Sequence, residues 1–194
     1  MKVKIISESG YKEALLGMGL SFGSTSPFEI NDISEGMWRR LHATAELLAK
    51  QDGGHNKFLE SIQVWIDIDA PRYWWSQFDT YRVGITKQSE STMHTILKKE
   101  LTQDDFEGRI HPDVLETVNG CIRAKDFIGA KKNLPEAFLQ RRIVSLNYKT
   151  IRNIILQRKN HKLKDEWRFF IDSIMNQLKY PVLLGIERKG ENEK

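Results

Sequence analysis

The clearest pattern in the chain is an alternation: Ile62, Val64, Ile66 and Ile68 are interleaved with Gln63, Trp65, Asp67 and Asp69. A period of two over this length predicts a strand with one buried face. Elsewhere the spacing is helical. In SEGMWRRLHATAELLAKQ, Met37, Leu41, Ala45 and Leu48 share one face, Ser34 is an N-cap candidate, and DGGH ends the run. NYKTIRNIILQR, residues 147–158, puts Ile151, Ile154 and Ile155 together, and KDEWRFFIDSIMNQL predicts a further helix that stops before Tyr180-Pro181. Weaker patterns predict a strand over residues 2–6, a short helix over 11–20 and a Ser/Gly/Pro loop over 21–32. They also predict a three-turn helix RYWWSQFDTYR after Pro71, a helix over 112–125 and a strand in AFLQRRIVSL. Residues 93–110 follow neither period. With no repeat and no linker-like stretch, residues 1–194 read as one α+β domain, its tail from 185 frayed.

One stretch departs from these patterns. QFDTYRVGITKQSESTMH, residues 77–94, is dense in hydrogen-bonding side chains yet follows the apolar IQVWIDIDAPRYWWS directly. It has the composition of a segment that wraps a polar ligand. The net charge of +4 and pI near 9.1 suit an anionic ligand such as a nucleotide, but are too weak to imply nucleic acid. A hydrophobic content of 40% is enough for a core and argues against global disorder. No apolar run is long enough to span a membrane and the N-terminus is no signal peptide, so a soluble cytoplasmic protein is expected. Cys121 is the single cysteine, which excludes an internal disulfide and a four-thiolate metal site. His42, His55, His94, His111 and His161 lack metal-ligand spacing, and no metal is expected.

Several groups admit two readings. Asn147 and Arg158 are eleven residues apart, about 20° apart around a helix and about 16 Å along it. They could address two parts of one long anionic ligand, or serve as an N-cap and a last-turn cation. RKNHKLK, residues 158–164, suits a phosphate patch or a solvated connection between helices. Tyr73, Trp74 and Trp75 suit stacking on a flavin or base, or core packing. GMGLSFG lacks dinucleotide-binding spacing, and Cys121 lacks an activating neighbour, which points to packing.

Taken together, these segments resemble the flavin-dependent thymidylate synthases, over about residues 20–178. LPEAFLQRRIVSLNYKTIRNIILQR carries the family's Leu-Pro, then Asn thirteen residues after the Leu and Arg eleven further on: Leu134, Pro135, Asn147 and Arg158. Asn153 and Glu166 match further family positions. Upstream, Gly54, His55, Glu60, Ala70, Pro71, Gln77 and Phe78 match the family's Gly-His, Glu, Ala-Pro and Gln-aromatic, and Ser21-Phe22 its early Ser-Phe. The family's Arg-His-Arg-x-x-Ser and Asn-Glu-x-Ser-x-Arg signature is rewritten. Thr80-Tyr81-Arg82, Ile85 and Lys87-Gln88-Ser89-Glu90-Ser91-Thr92 stand there, and Arg82 alone is retained.

The resemblance implies a small, mostly antiparallel sheet flanked by helices. It also implies reductive methylation of dUMP to dTMP with FAD, NADPH and methylene-tetrahydrofolate in a homotetramer whose sites are shared across subunits. Ser21, His55, Glu60, Arg82, Asn147 and Asn153 are implied on the flavin side, with His55 also catalytic. Arg158 is implied catalytically at the pyrimidine edge, with Gln77, Lys87, Gln88, Ser89, Ser91 and Lys131 around the nucleotide. A one-residue shift in the rewritten stretch would put Ser89 or Ser91 in place of the family's serine and let Lys87 supply charge. Gln88, where the family has Glu, leaves open a related reaction on another pyrimidine, and a non-catalytic nucleotide-binding descendant is the third reading. No protein nucleophile is required, because the flavin carries the reducing chemistry.

Overall fold

The computed structural model describes residues 1–23 and 33–186. Most of the loop expected over 21–32 and the frayed tail expected from 185, from residue 187 on, lie outside them. Among the described residues the order is β1 (Lys2–Ser9), α1 (Tyr11–Leu20), α2 (Glu35–Ala49), β2 (Gln63–Pro71), α3 (Arg72–Phe78), β3 (Ile85–Ser89) and α4 (Thr92–Thr95). Then follow α5 (Pro112–Arg123), α6 (Phe127–Asn133), β4 (Leu139–Asn147), α7 (Tyr148–Arg158) and α8 (Lys164–Gln177). The strands form one small, mostly antiparallel sheet in the order β1-β2-β4-β3, as the α+β reading expected. No helix of the described residues is long and apolar enough to cross a membrane.

The chain divides into two compact units: Met1–Val3 with Asp67–Arg82 and Lys87–Val144, and Lys4–Ile66 with Val83–Thr86 and Ser145–Lys194. All four strands pass from one unit into the other along the chain. The alternation in β2 behaves as its period demands. Val64, Ile66 and Ile68 are fully buried, whereas Trp65 on the opposite face is 40% exposed.

In the first unit, Trp74, Trp75 and Phe78 of α3 are buried and pack as a cluster of rings, Trp74 and Phe78 stacking at 4.9 Å. The Tyr-Trp-Trp run is therefore core for both tryptophans. A second apolar cluster joins Ile96, Leu101, Phe106, Val118, Ile122, Ala130 and Leu134, with Cys121 packed against it as its lack of an activating neighbour suggested. In the second unit Ile151, Ile154 and Ile155 of α7 are buried on one face, and Trp167, Phe170 and Ile174 of α8 on another. Full burial of side chains this size is worth about 1.5–3 kcal/mol each.

Three elements differ from the pattern-based expectations. β1 extends to Ser9. The helix after Pro71 closes at Phe78, two turns rather than three, where Asp79 and Thr80 N–H groups return to Trp75 O and Gln77 O. Residues 85–89, expected as a ligand loop, form an edge strand beside β4, and the pairing continues as Glu90 N–H donates to Arg141 O at 2.9 Å. Pairing with a neighbouring strand outweighs the polar composition, because strand preference depends on context more than helix preference does.

Candidate functional site

Of the residues expected at the site, Gln77, Arg82, Lys87, Gln88, Ser89, Ser91 and Lys131 belong to the first unit. Ser21, His55, Glu60, Asn147, Asn153 and Arg158 belong to the second. The division nearly follows the expected roles, nucleotide-side residues in one and flavin-side residues in the other.

In the second unit, Asn147 ends β4 and begins α7. Its Oδ1 accepts the Thr150 N–H at 2.9 Å, so the N-cap reading holds. A Cβ on Gly84, whose φ is +66, would lie 2.7 Å from both Asn147 Nδ2 and Thr150 Oγ1. Only glycine lets the chain pass this close to the cap. Thr150 Oγ1 donates to Val83 O at 3.2 Å, tying the same segment to the start of α7. Asn147→Ala should lower stability by about 1 kcal/mol, the usual cost of an N-cap, measured by chemical denaturation.

Arg158 lies in the last turn of α7, half-buried, its guanidinium 4.9 Å from the centre of the Trp167 ring. His161 follows in the connection to α8, where burial, Arg158 and Lys162 hold its pKa below the usual imidazole range. The 158–164 stretch is thus a connection between two helices, mostly at the surface. Ser21, His55 and Asn153 are exposed. Glu60 is paired with Lys149 at 2.8 Å. Arg152, on α7, is a buried guanidinium that sequence reasoning passed over; its Nη1 reaches Asp52 at 3.5 Å, two residues before the Gly54-His55 turn.

In the first unit, Lys87 on β3 is committed. Its Nζ donates to Tyr81 O at 3.1 Å, pairs with Asp79 Oδ1 at 3.1 Å and lies 5.7 Å over the Phe78 ring. Arg142 on β4, not among the residues expected at the site, donates from Nη1 to Asp79 Oδ1 and Oδ2 at 2.9 and 3.0 Å. Lys131 donates to Thr92 Oγ1 at 2.5 Å, beside the half-buried Ser91. Gln77 is half-buried in α3, whereas Arg82, Gln88 and Ser89 are exposed. Arg141, on the alternate face of β4 from Arg142, is bidentate to Asp67 at 2.8 and 2.6 Å.

Two cavities open in the second unit. One of about 200 Å³ is lined by Glu8, Lys179 and Tyr180 among others, and one of about 380 Å³ by Tyr11, Trp38, His42, Glu46 and Tyr180. Beside them Tyr11 stacks on Tyr180 at 3.7 Å and its hydroxyl meets His42 Nδ1 at 2.7 Å, while His42 Nε2 meets Glu46 at 2.9 Å. Burial, with Tyr180 and Glu46 adding to it, pushes the Tyr11 hydroxyl up to about 12. None of the residues expected at the site lines either cavity.

No family model and no curated protein matches the sequence. Solved structures do. The chain is similar to the flavin-dependent thymidylate synthase ThyX from Helicobacter pylori complexed with FAD and dUMP, with a TM-score of 0.78 over 95% of this chain and 98% of that one. The chain has the fold of a flavin-dependent thymidylate synthase. A second structure of ThyX from Helicobacter pylori, with FAD and dUMP, gives a TM-score of 0.76 over 93% and 95% of the two chains. Identity is 14% in both comparisons, so the thymidylate synthase fold is kept while most side chains differ.

Proposed function

We propose that the protein is an FAD-dependent enzyme that methylates dUMP reductively to dTMP, taking the one-carbon unit from methylene-tetrahydrofolate and electrons from NADPH. The observation that carries this reading is the fold, shared over nearly the whole of both chains with proteins complexed with FAD and dUMP. The chain, residues 1–194, acts as one functional domain in a cytoplasmic homotetramer.

The available groups suit a flavin dinucleotide. Ser21 offers a hydroxyl, Arg82 a guanidinium and Asn153 a carboxamide, all exposed, and His55 an imidazole in an exposed turn. These would hold the diphosphate and ring edges, with Asn147 and Glu60 fixing the backbone that carries them. Bound flavin supplies the hydride. The chain's own part is to bind and orient: Arg158 polarises the pyrimidine edge, His55 orders the flavin and folate side, and Gln77, Gln88, Ser89, Ser91 and Lys131 surround the nucleotide. A related C5 modification of another pyrimidine nucleotide is favoured by one observation. The rewritten stretch is a strand whose Lys87 is already held by Asp79.

Purified protein should be yellow and release FAD on denaturation, in a ratio near one per chain. Absorbance of the supernatant measures this. A protein that neither retains FAD nor takes it up when supplied is a non-catalytic relative, and both enzymatic readings then fail.

A further inference from the structure

Arg142 and Lys87 converge on a single carboxylate. Asp79 accepts two hydrogen bonds from Arg142 Nη1 and pairs with Lys87 Nζ at 3.1 Å, leaving the three groups with one net positive charge. Their exposures differ in a telling way. The cationic side chains are 13% and 18% exposed, that of Asp79 44%. The carboxylate is the outer member, and it can rotate into water at little desolvation cost, whereas the cations cannot.

The cations are also held independently of Asp79. Gln140 Oε1 accepts from Arg142 Nε at 3.3 Å and Nη2 at 3.0 Å, and the guanidinium lies 4.3 Å over the buried Trp75 ring. Gln140 is itself fixed, its Nε2 donating to Glu90 O at 2.9 Å and its carbonyl accepting from Trp75 Nε1 at 2.8 Å. Lys87 keeps its bond to Tyr81 O. Removing the carboxylate therefore leaves two oriented donors of like charge facing one gap.

We propose that Arg142 and Lys87 form an anion-binding pair, that Asp79 occupies it in the ligand-free chain, and that a phosphate monoester displaces Asp79. The identification of that monoester as the nucleotide's phosphate rests on the proposed function. A phosphate monoester carries about −1.5 to −2 charge and three acceptor oxygens, against one charge and two oxygens for Asp79, so it satisfies both cations better. The pair offsets the rewritten signature, where Thr80 and Thr92 stand in place of arginines. Asp79 then sets selectivity: a ligand too weakly charged to evict it is refused.

The test is Asp79→Asn, which keeps the shape and removes the charge. Inorganic phosphate is titrated by calorimetry into the purified parent and variant, without nucleotide, and dUMP and deoxyuridine into the FAD-loaded proteins. The variant should bind phosphate about tenfold tighter than the parent, and dUMP likewise, with deoxyuridine unchanged. Adding Arg142→Gln should erase the gain. Phosphate affinity that is unchanged or weaker in a folded Asp79→Asn variant overturns the proposal. If that variant does not fold, Lys87→Gln in the parent decides: weaker phosphate binding supports the pair, unaltered binding overturns it. The phosphate titration needs no flavin, so a protein that fails to bind FAD overturns the proposed function without touching this result.

Discussion

Arg158→Ala should reduce turnover of dUMP at least about 100-fold, the scale on which a single donor to a reacting group acts in a desolvated site. The fold should survive. Packing of α7 is carried by Ile151, Ile154 and Ile155, while Arg158 sits half-buried in its last turn. Its contact with the Trp167 ring and its position at the helix C-terminus together account for about 1 kcal/mol. Arg158→Lys separates charge from geometry, since the ammonium keeps the cation but loses the planar fork. The lysine variant should fold like the parent and recover little activity. Steady-state turnover with FAD, NADPH and methylene-tetrahydrofolate, beside a denaturation curve for each variant, checks both statements. Parent-like turnover in Arg158→Ala would remove this residue from the reaction.

Gly10→Ala should cost about 3 kcal/mol. Gly10 joins β1 to α1 with φ of +82 and ψ of 4, and its carbonyl accepts the Ala14 N–H at 2.9 Å. A left-handed backbone costs an L-residue about 1 kcal/mol. A Cβ here would also press into the Ser61 carbonyl oxygen, a backbone atom that cannot swing aside. Relieving that overlap adds about 2 kcal/mol, as overpacking does elsewhere. Gly17→Ala is the matched control. Gly17 lies exposed within α1, nothing stands within 4 Å of its Cβ position, and the same substitution should stabilise by about 0.5–1 kcal/mol. Opposite shifts of the denaturation midpoint for two glycines seven residues apart are the expected result. Equal shifts would show that the β1–α1 junction is not held in this geometry.

Much of the fold was legible in the order of residues, because the signals involved are local. Period two from Ile62 to Ile68 and the isoleucine stripe of α7 each place side chains on one face whatever the rest of the chain does. Asn147 as an N-cap follows from the same logic, since the donor it satisfies lies three residues on. The spacing of Leu134, Asn147 and Arg158 was enough to suggest a flavin-dependent thymidylate synthase, and the shared fold agrees with it.

The rewritten stretch was not legible. ITKQS gains strand character only from the β4 backbone beside it, and its own residues favour no face strongly. Arg142 and Asp79 are 63 residues apart, so their pairing leaves no periodic trace. The Cβ-free space at Gly84 exists only because Asn147 and Thr150 come to lie against it. The sequence by itself determined which residues face inward along β2 and α7 and where α7 begins. Tertiary structure alone decided which charges meet: an ion pair depends on distance in space, and that distance is set by the packing of strands and helices remote from one another in the chain.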